Sequence, residues 1–276
     1  MSRGERARRL GVAVGGFGAI GRPVAIALDK GIPNLQLVAV STRDIHRAEQ
    51  EMATTFVSPV PVLPLEQLGE VADVVVECAP AAELCRLAEP VLQRGKTLVL
   101  LSVGALLDAQ HLIKLAGDQG GRILVPSGAL LGLDAVQAAA QGKISTVRMV
   151  TRKPPWSLRG APYVTERNIS LEELPRALEL FSGPAGDAIR GFPANLNVAI
   201  ALSLAGIGPD RTELQVWVDP DIERNIHSIE VIADSASFRM QIENIPSDEN
   251  PKTGKITALS VISTLRRLTA PLVIGA

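Results

Sequence analysis

Two groups of residues in this chain have types and spacings that could do chemistry. The first is Gly16-x-Gly18-x-x-Gly21, at the end of the run Gly11 to Gly21. A lone match of this kind is weak evidence, because 24 glycines in 276 residues scatter such patterns. Its setting is more specific. Val12-Ala13-Val14 before it is an apolar run suited to a buried strand, and Arg22 to Lys30 after it reads as a helix. Gly16 permits a tight turn, Gly18 lets backbone approach a pyrophosphate, and Gly21 lets the helix pack on its strand. The phosphates then sit where helix N–H groups and the dipole favour an anion. The second group centres on a histidine. Of the three in the chain, His46 stands among Arg43, Asp44 and Arg47 and reads as solvated, and His111 reads as a structural residue on a helix. His227 follows Asp219-Pro220-Asp221 and Asn225-Ile226 at the mouth of a strand. Imidazole exchanges a proton near neutral pH, as amine or hydroxyl oxidation requires. Spacing alone leaves open whether His227 does so or is a satisfied structural histidine.

The elements that must position these residues alternate through the first half of the chain. Strands are expected at Leu35 to Val40, Val71 to Glu77, Thr97 to Leu101 and Arg122 to Val125. Helices are expected at Ala82 to Arg94 and about Asp108 to Gln119, with a brief one at Leu65 to Leu68. Val57 to Pro64 is proline-rich and reads as a short strand or an extended connection. Strict β/α alternation argues a Rossmann-type doubly wound parallel sheet, whose ligands lie beyond the carboxyl ends of its strands. Cys78-Ala79-Pro80, Ser102 to Ala105 and Pro126 to Ala129 all fall there, beside the glycine turn Gly16, Phe17, Gly18, Ala19, Ile20 and Gly21. The second strand ends in Ser41-Thr42-Arg43-Asp44. NAD-selective folds place an acid at that point to hold the ribose 2′-hydroxyl. Small hydroxyls with Arg43 can instead accept a 2′-phosphate, so NADP, or both NAD and NADP, is expected. The competing reading leaves Arg43 on the surface and gives the ribose to Asp44.

The pattern changes after about Asp134. Helices are expected at Leu133 to Gln141, at Leu171 to Phe181 with Ser170 and Glu173 as a capping box, and from near Asn195. Alternating segments at Ser145 to Arg152, Glu213 to Val218, His227 to Ala233 and Ser237 to Glu243 imply a mixed or antiparallel sheet in a second α/β domain. The expected division is a dinucleotide-binding domain over 1–130 and a substrate domain over 131–250. The 251–276 segment, with a helix at Thr257 to Leu268, is expected to pack back on the first.

Bulk properties exclude several classes. A net charge of −1 offers no broad attraction to nucleic acid or an anionic membrane, and 3% aromatic residues leave few bases a stacking platform. The uncharged run Gly191 to Pro209 approaches membrane-span length but carries asparagines, Ser203, prolines and glycines, so a buried helix is expected. The basic arm before the first strand is not read as a signal peptide, because the apolar stretch after it is the glycine-turn strand itself. Cys78 and Cys85 fit reduced thiols packed in a cytoplasmic protein, show no metal-ligand spacing with histidine, and lead to an expectation of no metal.

Several motifs taken together resemble the L-aspartate dehydrogenase family. They are Gly-Phe-Gly-Ala-Ile-Gly (16–21), Ser-Val-Gly-Ala-Leu (102–106) and Ser-Gly-Ala-Leu-Leu-Gly-Leu-Asp (127–134). Asn-Leu-Asn-Val-Ala (195–199), Leu-Ser-Leu-Ala-Gly (202–206), Asp-Pro followed by Asn-Ile-His (219–227), and Asn-Pro-Lys-Thr (250–253) complete the set. The resemblance runs through nearly the whole chain in one order, leaving out the basic arm and Val57 to Pro64. It implies NAD(P)-dependent oxidation of L-aspartate to iminoaspartate, which hydrolyses to oxaloacetate and ammonia and in some organisms feeds NAD synthesis. It also implies a homodimer. The family's catalytic histidine falls on His227, and its contacts around the nicotinamide fall on Ala129 and Asn197. A dicarboxylate substrate needs cationic or N–H partners. Lys252 and Thr253 are expected at one carboxylate and backbone N–H groups from Ser127 to Ala129 at the other. The nearest rivals are a related two-domain reductase and a non-catalytic dinucleotide sensor. Dihydrodipicolinate reductase ranks low, since the chain has no adjacent histidines.

Overall fold

A computed structural model describes residues 8–172, 174–193, 196–251 and 253–275. The chain divides into two compact units, one ending at Pro126 and joined by Ala258–Ile274, the other spanning Ser127–Thr257.

The first unit holds strands β1 (Leu10–Gly15), β2 (Leu35–Ser41), β3 (Val74–Glu77), β4 (Thr97–Leu100) and β5 (Arg122–Leu124). They form one sheet in the order β2-β1-β3-β4-β5, and every pairing is parallel. Helices α1 (Gly21–Asp29), α2 (Ile45–Thr55), α3 (Leu68–Val71), α4 (Leu84–Gln93) and α5 (His111–Gln119) connect the strands. The strands are apolar on both sides because helices cover both faces. Val12 and Val14 face a core with Val24, Ala25 and Leu28 of α1, while Ala13 turns the other way onto Leu68, Leu87 and Val91. Burial of each such leucine contributes about 1.5–3 kcal/mol. Ala258, Val261 and Leu265 of the last helix complete the first of these cores. Val57 to Pro64 contributes only an isolated bridge, Val40 to Val62. Val71 to Asp73 is not strand, because α3 runs to Val71 and the chain turns before β3.

The second unit holds β6 (Ile144–Lys153), β7 (Leu178–Pro184), β8 (Glu213–Val218), β9 (Asn225–Ala233) and β10 (Ser237–Asn244). Their order is β10-β9-β6-β8-β7. Only β6 and β8 run parallel, so the sheet is mixed. Helices α6 (Leu133–Ala139), α7 (Pro155–Leu158), α8 (Pro162–Glu166), α9 (Ala185–Ala188) and α10 (Asn197–Ala205) belong to it; α11 (Lys255–Arg267) begins in it and ends in the first unit. The helix expected at Leu171 to Phe181 does not form. Its last four residues, Leu178 to Phe181, open the edge strand β7, paired antiparallel with β8. Pro175 interrupts the helical pattern by removing a donor and clashing with the preceding turn. Glu173 and Asn195 lie outside the described residues.

Candidate active site

The first unit gathers its expected site residues at the carboxyl ends of β1 to β4. Gly16 sits at φ 109°, and a Cβ there would run into the carbonyl oxygen of Cys78. Its N–H donates to the Ser41 carbonyl at 2.9 Å, and the Cys78 N–H donates to the Gly15 carbonyl at 2.7 Å. The turn is thereby tied to β2 and β3. Gly18 faces open space, with nothing within 4 Å of where its Cβ would stand. No side chain caps the start of α1 and no acidic residue occupies its first turn. Bare backbone at a helix start with room before it fits the pyrophosphate of a dinucleotide.

Glu77 was missed by the sequence reading and organises the neighbouring ends. It is the last residue of β3 and almost wholly buried. Its carboxylate accepts from the Leu101 N–H (3.1 Å), the Ser102 N–H (2.8 Å) and the Ser102 hydroxyl (3.0 Å). Burial pushes this carboxyl up from its ordinary range, and these donors pull it back towards the ionised form. One side chain thus fixes the β3 and β4 ends that carry Cys78 to Pro80 and Ser102 to Val103. Burial likewise pushes the Cys78 thiol up, which leaves it protonated and inert. At the β2 end, Ser41 is buried and Arg43 exposed. Asp44 caps α2 by accepting the Arg47 N–H at 3.2 Å.

The second unit builds a different kind of site from side chains on one face of its sheet. Val147, Met149, Thr151 and Lys153 alternate onto the buried face of β6; Asn225, His227, Ile229 and Val231 lie on its neighbour β9, with His227 in register with Thr151. The shared face is apolar at one end and polar at the other. His227 is 2% exposed, and its Nδ1 lies 2.8 Å from Thr151 Oγ1. Its Nε2 has no hydrogen bond to a described residue. Burial, then the charge of Lys153, lowers its pKa to about 3. Lys153 is 3% exposed and pairs with no carboxylate among the described residues; burial brings its pKa down to about 8. Ser157 Oγ donates to Asn225 Oδ1 at 3.2 Å. Asn244, in register with Asn225, donates from Nδ2 to the Ala129 carbonyl at 3.0 Å, and its buried Oδ1 has no partner among the described residues.

The other expected residues fall within the second unit but not all at this cluster. Ser127 and Ala129 belong to a half-buried turn whose Ser127 carbonyl accepts the Leu130 N–H. Asn197 opens α10. Thr253 lies in a turn, its N–H donating to the Asn250 carbonyl and its carbonyl accepting the Ser247 N–H, and Lys252 lies outside the described residues. Lys153 was also missed by the sequence reading. The available signal was parity, since Lys153 continues the alternation of Val147 and Met149 one step beyond the expected strand end.

Two protein families match the chain in succession. Residues 16–126 match the family described as homoserine dehydrogenase, NAD binding domain, and residues 134–268 match aspartate dehydrogenase, C-terminal. L-aspartate dehydrogenase 3 of Bordetella bronchiseptica is 56% identical over 267 residues, covering 96% of this chain and 97% of that protein. L-aspartate dehydrogenase of Methanocella arvoryzae is 44% identical, covering 97% and 99%. Among solved structures, aspartate dehydrogenase from Thermotoga maritima superposes with a TM-score of 0.73 at 23% identity over 96% of this chain and 99% of that one. A hyperthermophilic archaeal homoserine dehydrogenase in complex with NADPH gives 0.58 at 15% identity over 95% and 98%, a likeness of fold. Identity of this extent along the full chain decides the relationship: the protein belongs to the L-aspartate dehydrogenase family.

Proposed function

We propose that this protein oxidises L-aspartate reversibly to iminoaspartate, which water converts to oxaloacetate and ammonia, with NAD or NADP as the hydride acceptor. The observation that carries the reading is Lys153, a buried cation without a counter-charge among the described residues, beside the buried neutral His227. A buried charge left unpaired is costly, and a dicarboxylate substrate supplies the missing partner. The bound nicotinamide supplies the place to which the Cα hydrogen leaves with its electron pair. The chain's own residues do the rest. Lys153 holds one substrate carboxylate by a charge-assisted bond. Thr151 fixes the His227 ring through Nδ1, and Nε2 takes the proton that the substrate ammonium must lose before its nitrogen can form the C=N bond. The same nitrogen then orients the water that attacks the imine. Burial is the main cause of the low His227 basicity and stays; a substrate carboxylate on Lys153 cancels the lesser cause, the lysine charge, so binding raises the basicity of the base in part.

Gly16 to Gly21, Ser41, Arg43, Cys78 to Pro80, Ser102 and Val103 are assigned to the dinucleotide, together with Ala129 and Asn197. Ser127, Lys252 and Thr253 are assigned to the substrate. Family resemblance supports further parts of the same reading: a homodimer, a cytoplasmic location, use of NADP as well as NAD, and supply of the imine to NAD biosynthesis. No helix among the described residues is long and apolar enough to cross a membrane.

The test is NAD(P)H formation at alkaline pH with L-aspartate, D-aspartate, L-glutamate and L-homoserine. Turnover with L-aspartate alone is expected. Cofactor binding without turnover of any of these makes the protein a sensor and removes His227 from the chemistry.

A further inference from the structure

Linear spacing pairs neither cysteine with a histidine, but the packing of α4 on α5 does so in space. Cys85 and Glu89 are four residues apart on α4 and therefore share one face of it. His111 is the first residue of α5. The Cys85 sulfur, a Glu89 oxygen and a His111 ring nitrogen all lie within 4.8 Å of one another. His111 Nε2 and Glu89 Oε1 are 2.9 Å apart. Cys85 is anchored, packing against the buried core that includes Leu84, Leu87 and Leu112. The neighbouring cations are engaged elsewhere: Arg86 by Glu66 and Glu83, Lys114 by Asp118. Neither of these two cations forms an ion pair with the group among the described residues.

We propose that Cys85, Glu89 and His111 form a three-ligand binding site for Zn2+. The donor set is one thiolate, one carboxylate and one neutral imidazole. Its mixed sulfur, nitrogen and oxygen character suits a borderline divalent metal and does not suit Mg2+ or Ca2+, which take oxygen ligands. Two negative ligands balance the ion's two positive charges, the thiol giving up its proton on binding. Zn–S bonds of about 2.3 Å and Zn–N or Zn–O bonds of about 2.0–2.2 Å place tetrahedral donors roughly 3.5 Å apart. The donors already stand within 4.8 Å of one another, and metal binding requires Nε2 to exchange Glu89 for the ion. The fourth position takes water. The ion joins the start of α5 to the middle of α4. The site stands apart from the glycine turn and from His227 in sequence and uses no residue assigned to either, so it does not rest on the reading of the enzyme's activity.

The test uses the full, tag-free, metal-depleted protein. Zn2+ is titrated against a chromophoric chelator, and Co2+ serves as a spectroscopic probe. Expected are one equivalent of Zn2+ per chain, a sulfur-to-cobalt charge-transfer band and a rise in Tm with Zn2+. Cys85→Ser should abolish the band, and His111→Ala should weaken Zn2+ by at least about tenfold, the lower end of what even outer-shell losses cost. Cys78→Ser should retain both. His111 is exposed, so its variant tests the site even if Cys85→Ser folds poorly. Failure to compete with the chelator overturns the proposal, as does Zn2+ binding that neither variant weakens.

Discussion

The two units arrive at their sites by opposite routes. In the first, backbone does the work. Gly16 takes a conformation closed to other residues, Gly18 leaves space, and α1 starts without a capping side chain. In the second, the backbone is a mixed ladder, regular where Thr151 meets His227, and the site is made of side chains buried where apolar ones belong. Thr151, Lys153, Asn225 and His227 occupy positions whose neighbours on the same face are Met149, Ile229 and Val231. A backbone site is stable without its ligand. A buried-charge site holds unspent electrostatic energy that the ligand releases. The difference says where mutations should separate stability from activity and where they should not.

The largest expected effect is at His227. Replacement by alanine should lower kcat by about 10²–10⁴-fold, the usual loss for a positioned base, while NADPH affinity stays within twofold or so of wild type. Thr151 Oγ1 then loses its partner, so rates are normalised to folded protein. Near-normal turnover would remove His227 from the mechanism.

Lys153→Met comes next and tests the stored cost. KM for L-aspartate should rise about 10–100-fold, the worth of one charge-assisted contact, with a smaller change in kcat. Stability should rise by about 3 kcal/mol at pH 7, from a pKa brought down from 10.5 to about 8 in a buried side chain. The sign follows from proton counts. Below about pH 8 folded and unfolded chains both hold the Lys153 proton, and the burial cost is complete. Between about 8 and 10.5 the unfolded chain holds more of it, so wild-type stability rises with pH and the advantage of the variant fades. A variant less stable than wild type at pH 7 would mean that Lys153 has a counter-charge, and the contrast between the units would fail. If kcat falls as far as in the His227 variant, Lys153 is itself the proton acceptor, which its pKa near 8 permits.

In the first unit the same separation runs through two glycines. Gly18→Ala should leave stability within about 0.5 kcal/mol of wild type, because its side chain meets nothing. Its cofactor Kd should rise about tenfold, since the methyl group occupies the space kept for phosphate. Gly16→Ala should lose about 1–3 kcal/mol from backbone strain alone and cofactor binding with it. Calorimetric unfolding beside cofactor titration distinguishes the two. Equal loss of stability in both would make the turn a packing feature.

This contrast also explains what could be read from the sequence. Backbone devices announce themselves: glycine spacing, apolar runs and β/α alternation pointed to the parallel sheet and to the ends of its strands. The mixed sheet was legible from period-two patterns. Glu77 and Lys153 were not, because each is a charged residue at the last position of a strand, where sequence reading expects solvent. Their burial depends on neighbours far along the chain, Leu101 and Ser102 for Glu77 and His227 for Lys153. The Leu171 to Phe181 helix failed for a related reason. A capping pattern is local, whereas pairing with β8 is not, and the long-range partner decided.

The smallest expected effect concerns the residues proposed for the ribose end of the dinucleotide, Arg43 and Asp44. Asp44 accepts the Arg47 N–H as the cap of α2, and turning it to a ribose hydroxyl would give up a cap worth about 1 kcal/mol. Ser41 is buried, with its carbonyl committed to the Gly16 N–H. Arg43 is exposed and has no carboxylate partner among the described residues, so it is available to a 2′-phosphate. Exposure limits its contribution to about 1 kcal/mol. Arg43→Ser should therefore lower kcat/KM for NADP by about fivefold and leave NAD unchanged, and the wild-type advantage with NADP should shrink as salt is added. Strict NAD preference in the wild type, or an NADP-to-NAD ratio untouched by the substitution, would return Arg43 to the surface and hand the ribose to Asp44 at the expense of its cap.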